Sequence, residues 1–118
     1  MSLLVAPPTK LDAVFAALAD PTRRAILARL ARGEATITEL AKPLPVSQPA
    51  VSQHIKLLVE AGMVRQRVDG ARRPCRLSGE GLGAADQWLA MLRKGLEANY
   101  DRLDALLSKM DSTEEGTT

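Results

Sequence analysis

The chain has 118 residues, a length that suits one domain built around a single core. Hydrophobic residues make up 46% and charged ones 25%, which excludes a disordered chain; aromatics at 3% leave the core to Leu, Ala, Val, Ile and Met, and so favour helices. The net charge of +2 says little by itself, while one cysteine excludes an internal disulfide or multi-cysteine metal site, and no run reaches the roughly 18 apolar residues of a membrane span.

The first eight residues, ending in Pro7-Pro8, read as a loose arm (1–8) ahead of an ordered region at 9–110. A first helix is expected from about Thr9 to Ala19, with Leu11, Val14, Phe15 and Leu18 at helical spacing. Its AVFAALA stretch has the small residues of a signal-peptide core. It lacks a basic region before it and lies between Asp12 and Asp20, so the expectation is a helix face in a cytoplasmic protein without membrane partners. Asp20-Pro21 starts a second helix, Asp as cap and Pro in the first turn, which runs to about Arg32 before Gly33. Thr36 and Glu39 have capping-box spacing, and Pro43 and Pro45 keep the helix they start short. Ser47 caps a fourth helix, Gln48 to Ala61, which Gly62 ends; Val51, Ile55 and Leu58 form its inner stripe.

After Gly62 the period changes from helical to alternating. MVRQRV and RRPCRL read as strands joined by Asp69-Gly70-Ala71, with Val64, Val68, Cys75 and Leu77 inward and arginines outward. Pro74 lacks a ladder donor, which makes its strand an edge. From about Gly81 to Met110 a long helix carries Ala85, Leu89, Leu92, Leu96, Asn99, Leu103, Leu106 and Met110 at alternating steps of four and three, widened by Trp88, Tyr100 and Leu107. Such a helix is ~40 Å long, against a radius of gyration of ~13 Å for a compact domain of its size. One protomer cannot cover that face, and a second copy is the expected cover. Leu11, Val14, Leu89, Leu92, Leu96, Tyr100, Leu103 and Leu107 are the expected dimer interface. Residues 111–118 read as a polar, disordered tail.

Charge is unevenly placed. Lys42 to Arg76 holds seven basic residues against two acidic ones, whereas from Glu80 onward eight acids face four bases. An electropositive middle is the footprint of a polyanion-binding surface.

A short capped helix, a Pro-bounded turn and a second helix make a helix-turn-helix. A helix entering the major groove has to present polar side chains near its start, and Gln48, Ser52, Gln53 and Lys56 do so. Ser47 can reach a phosphate, although capping is its first task. Arg72 and Arg73, at the hairpin tip, are read as backbone or minor-groove contacts, with Arg67 as a further contact. Charge on an edge strand also discourages aggregation, so the hairpin arginines have a second reading. His54, the only histidine, lies between the polar and buried faces, and both a DNA contact and a partly buried structural role stay open. Arg23 and Arg24 are read as packing or salt-bridge residues, with a minor phosphate contact as the alternative. Cys75, beside Leu77, is read as a small core residue.

ALADPTRRAILARL, TITELAKPL, VSQPAVSQHIKLLVEAGMV and RQRVDGARRPCRLS together resemble, in order and spacing, the arsenic-repressor (ArsR/SmtB) family. The resemblance covers about Leu11 to Ser78. It implies a mainly α winged helix-turn-helix with a small β-hairpin and a long C-terminal dimerisation helix. It further implies a dimeric regulator, most often a repressor, on a palindromic operator. The chain departs from metal-sensing members, which carry Glu-Leu-Cys-x-Cys where this sequence has Glu39-Leu40-Ala41-Lys42-Pro43, or histidines on the closing helix, where it has Asp101 and Asp104. No metal site and no cofactor are therefore expected, and the effector stays unassigned.

The expected function is sequence-specific binding of double-stranded DNA as a homodimeric repressor that does not respond to metal. The alternative is a helical protein-interaction or assembly module that uses the long apolar helix. An enzyme is not expected: the one His and one Cys lie on different elements, and no phosphate-binding glycine loop is present.

Overall fold

A computed structural model describes residues 9–117, with side chains for residues 9–111. The expected arm at 1–8 lies outside the described residues. The order is α1 (Lys10–Leu18), α2 (Pro21–Leu30), α3 (Ile37–Ala41), α4 (Gln48–Glu60), β1 (Val64–Gln66), β2 (Cys75–Leu77) and α5 (Gly79–Thr117). This is the mainly helical, hairpin-bearing architecture that the residue pattern implies. No helix among the described residues is long and apolar enough to cross a membrane.

Each of the first four helices starts on a side-chain cap. Thr9 and Thr36 form capping boxes with Asp12 and Glu39, and Asp20 accepts from the Arg23 amide at 2.9 Å. Ser47 accepts from the Ala50 amide at 3.3 Å. Each side chain satisfies an amide that helix geometry would leave orphaned. α1 has no basic residue in its last turn. Two guanidiniums from α2 serve instead: Arg23 donates to the carbonyls of Ala16 (3.0 Å) and Ala17 (2.9 Å), and Arg24 to that of Leu18 (2.7 Å).

α4 ends on Gly62 at φ +71°, a left-handed conformation that a side chain disfavours. The Gly62 amide donates to Val59 and the Met63 amide to Leu58, so the last carbonyls of α4 are satisfied as the chain reverses into β1.

The chain divides into two compact units after Ala85. In the first unit, α1, α2 and α4 pack on one another, α3 lies on α4, and the hairpin packs on α2 and α4. Val14, Ile26, Leu40, Val51, Ile55, Leu58, Met63, Val64 and Cys75 are fully buried there. Burying one such side chain is worth about 1.5–3 kcal/mol. In the second unit, from Asp86, the helix leaves Leu92, Leu96, Leu103, Leu106 and Met110 about half exposed.

Five expectations are corrected. Val14, placed on the dimer face, is 0% exposed and belongs to the core, because α1 turns that side onto its neighbouring helices. Val68, expected inside, is 68% exposed, since the paired strands stop at Gln66 and the wing projects beyond the core. The strands are shorter than MVRQRV and RRPCRL, their register being Val64↔Leu77, Arg65↔Arg76 and Gln66↔Cys75. β2 is not a bare edge at Cys75: Ala35 exchanges both backbone hydrogen bonds with it, at 2.8 and 3.1 Å. Finally, α5 starts at Gly79 and continues past Met110 to Thr117, with no proline after Pro74 to break it.

Candidate nucleic-acid interface

Local sequence sets the faces of α4. Val51, Ile55 and Leu58 are buried, and the opposite side leaves Gln48, Ser52, Gln53 and Lys56 exposed. Gln48, Ser52 and Lys56 lie four residues apart and form one ridge. Ser47 accepts from Ala50 through its Oγ, as capping requires, and its hydroxyl hydrogen stays available to an outside acceptor.

The hairpin tip is tight: the Asp69 and Arg72 backbones exchange hydrogen bonds at 3.0 and 3.1 Å, enclosing Gly70 and Ala71. Gly70, at φ +63°, occupies the first central position, where such a two-residue loop calls for glycine. The loop carries Arg72 and Arg73 beside the ridge of α4. The lining of one open cleft includes Thr38, Glu39, Gln48, Ser52, Arg72 and Arg73. The lining of an adjoining one includes Ser52, Lys56, Val59, Glu60, Gln66 and Arg73. Reading-helix candidates and tip arginines, separate in sequence, thus share one concave surface. That surface can offer amide, hydroxyl and cationic donors to a polyanion with exposed base edges.

The cations on this surface differ in state. Among the described residues, Lys56 and Arg73 pair with no carboxylate. Arg67 donates to Glu34 at 2.6 Å and lies 3.9 Å from Asp69. The Glu34 hydrogen bond and charge raise the Arg67 pKa. Arg72 lies 3.8 Å from Glu39, which also faces Arg29 at 4.0 Å. Hydrogen bonds from the Thr36 hydroxyl and amide hold the Glu39 carboxyl below the usual carboxylate range, with the two arginines adding to the effect. Arg65 and Arg76 face each other across the hairpin and are exposed.

Sequence reasoning missed three participants. Glu39 was legible only as a cap, and Glu34 carried no local signal. Arg23 was read as packing, yet its guanidinium also meets His54 Nδ1 at 3.2 Å. That pairing joins residues 31 apart and leaves no trace in periodicity. His54 is half-buried on the flank of α4 away from the wing. Cys75 is fully buried, within 3.6 Å of the Gln66 amide, and burial pushes its thiol pKa up. A raised pKa and no exposure make a poor nucleophile. No group of three or more His, Cys, Asp or Glu side chains that could hold a metal ion occurs among the described residues.

A helix-turn-helix domain model matches residues 18–67, the segment from the end of α1 through β1. The HTH-type transcriptional regulator Rv2034 of Mycobacterium tuberculosis is 53% identical over 73 residues, covering 62% of this chain and 68% of that protein. The arsenic resistance transcriptional regulator ArsR1 of Pseudomonas putida is 38% identical over 110 residues, 90% of this chain and 80% of that one. Among solved structures, the ArsR family transcriptional regulator RHA00566 is 42% identical with a TM-score of 0.72, over 78% of this chain and 95% of that chain. An ArsR-like regulator from Rhodococcus sp. RHA1 is 33% identical with a TM-score of 0.64, over 86% and 92%. These proteins are regulators, not enzymes. The chain belongs to the ArsR family of DNA-binding helix-turn-helix transcriptional regulators.

Proposed function

We propose that this protein is a homodimeric repressor that binds a palindromic operator and takes its signal from something other than a metal ion. The observation that carries the DNA-reading assignment is the concave surface shared by Gln48, Ser52 and Lys56 of α4 with Arg72 and Arg73 of the wing. On this reading α4 enters the major groove: Gln48 and Gln53 address base edges, Ser52 bonds either base type, and Lys56 reaches guanine or phosphate. Ser47 meets a phosphate at the helix start. Arg72 and Arg73 hold the backbone or minor groove, and Arg67 joins them once it leaves Glu34.

The winged-helix unit reads DNA, and the helix from Asp86 pairs with a second copy. Leu89, Leu92, Leu96, Tyr100, Leu103 and Leu107, between 38% and 62% exposed, support that role; half-buried Leu11 is the contribution of α1. A two-fold dimer places its recognition helices on half-sites about 34–36 Å apart. The case against metal sensing rests on donor chemistry. Glu39 to Pro43 offers no thiolate, and the one cysteine is enclosed in the core.

The test is a mobility shift on a duplex selected from random sequence, repeated with Lys56→Ala and Arg72→Ala. Each substitution should weaken binding about tenfold and lower the salt slope by about two, one contact for each protomer of the dimer. Retention of both affinity and slope by the two variants would remove the assigned surface.

A further inference from the structure

The Arg23–His54 contact has a chemical consequence for the recognition helix. A guanidinium carries only N–H donors and stays charged at any pH the protein meets, so the ring nitrogen facing it must accept. Arg23 Nη1 lies 3.2 Å from His54 Nδ1. The guanidinium cannot turn away freely, because its Nε donates to Ala17 O at 2.9 Å and its Nη2 to Ala16 O at 3.0 Å. Asp20 also lies on this side and caps α2 by accepting from the Arg23 amide at 2.9 Å. With Nδ1 used as an acceptor, the proton of the neutral imidazole resides on Nε2, across the ring.

We infer that Arg23 is a positioning residue that holds His54 in the Nε2–H form, so that α4 presents a fixed hydrogen-bond donor to a DNA phosphate on its flank away from the wing. This rests on the reading of α4 as the helix that meets DNA. The phosphate, rather than a base edge, follows from place. His54 is half-buried and lies on the flank of α4 opposite Ser52, set back from the exposed ridge of Gln48, Ser52 and Lys56. A donor set back from that ridge meets the strand bordering the groove rather than its floor. The wing arginines and His54 then hold the two sides of the reading helix.

The protein tests this cleanly because it has one histidine. Two-bond 1H–15N correlation on uniformly labelled protein above the imidazole pKa reports a single ring. The expected spectrum shows Nδ1 as the unprotonated nitrogen and Nε2 as the protonated one, and Arg23→Met should mix the two forms. A wild-type ring protonated mainly on Nδ1 would overturn the proposal, whatever the variant does to stability.

The DNA arm uses a duplex selected from random sequence. His54→Gln, whose amide nitrogen stands near the place of Nε2, should bind within about threefold of wild type. His54→Asn, whose amide stands near the place of Nδ1, should lose about tenfold, equally on operator variants changed at each base pair. Equal binding by both variants and wild type would overturn the contact. A loss confined to one base pair would overturn the phosphate assignment. If instead wild type bound no duplex while the Nε2–H form persisted, the DNA reading would have failed and not the tautomer.

Discussion

The two halves of this chain use similar residues to opposite ends. Up to Ala85, leucine, isoleucine and valine turn inward from helices that pack on one another, and Leu58, Ile55 and Val51 are at most 1% exposed. From Asp86, a helix just as rich in leucine keeps Leu96 at 52% and Leu103 at 51%. Hydropathy alone does not separate the two; what differs is whether the neighbouring chain supplies a covering surface. The first region completes its own core and can therefore spend its polar side on recognition. The second leaves its apolar face to a second copy in the function proposed above.

Truncating one leucine in each region should expose the difference. Leu58→Ala opens a cavity in a closed core and should cost about 2–5 kcal/mol. The loss should be seen as a lowering of the melting temperature of similar size at every protein concentration. A cost below 1 kcal/mol would mean that the core is less complete than its burial indicates.

Leu96→Glu combined with Leu103→Glu should act on association instead. Each change occurs twice in a two-fold interface, and at about 1.5–3 kcal/mol per buried leucine the dimer constant should weaken at least ~100-fold. Sedimentation equilibrium should then report half the wild-type mass, with helical content retained. Unchanged mass would break the comparison, because the exposed face would need a different occupant.

A smaller effect is expected at the start of α4. Ser47→Ala removes the acceptor for the Ala50 amide and should cost about 1 kcal/mol by denaturant unfolding. A loss of DNA affinity beyond that expected from fraying would show that the hydroxyl also meets phosphate.

The smallest effect is acid sensitivity within the winged-helix unit. Glu80 is held below the ordinary carboxylate range by its hydrogen bond and ion pair with Lys10, Glu39 by Thr36, and Asp20 by the Arg23 amide. A carboxylate with a lowered folded pKa adds stability above its unfolded value. That stability is lost as pH falls through the folded value, so the unit should weaken below about pH 4. Glu39 and Glu80 are exposed and Asp20 is half-buried, so the change should be modest, and for the Lys10–Glu80 pair it should shrink further in high salt. Melting followed from pH 7 to pH 3 at two salt concentrations checks the sign. Rising stability on acidification would contradict the assigned contacts.

Much of this was legible in the chain. Capping positions are local: Asp20, Thr36 and Ser47 cap the helices that the spacing marked, because a cap bonds an amide three residues on. The same holds for the ridge of α4 and for the turn at Gly70. Less legible was which apolar residue served which surface. Val14 and Leu89 look alike in a helical repeat, yet one is 0% exposed and the other 38%. The wing was legible as basic but not as engaged, since Glu34 and Glu39 reach Arg67 and Arg72 across 33 positions each.

The sequence by itself therefore determined the helices, the hairpin and the polar face of α4, because periodicity, caps and turn residues act within a few positions of the backbone. It also made the closing helix the proposed dimer seam, from a length that a single protomer of this size can hardly cover. Only the tertiary structure decided that Ala35 adds a partner to β2, that Arg23 meets His54, and that two wing arginines begin in ion pairs. The physical reason is common to all three. Each is a contact between residues at least 31 positions apart, and packing, not local propensity, chooses such partners.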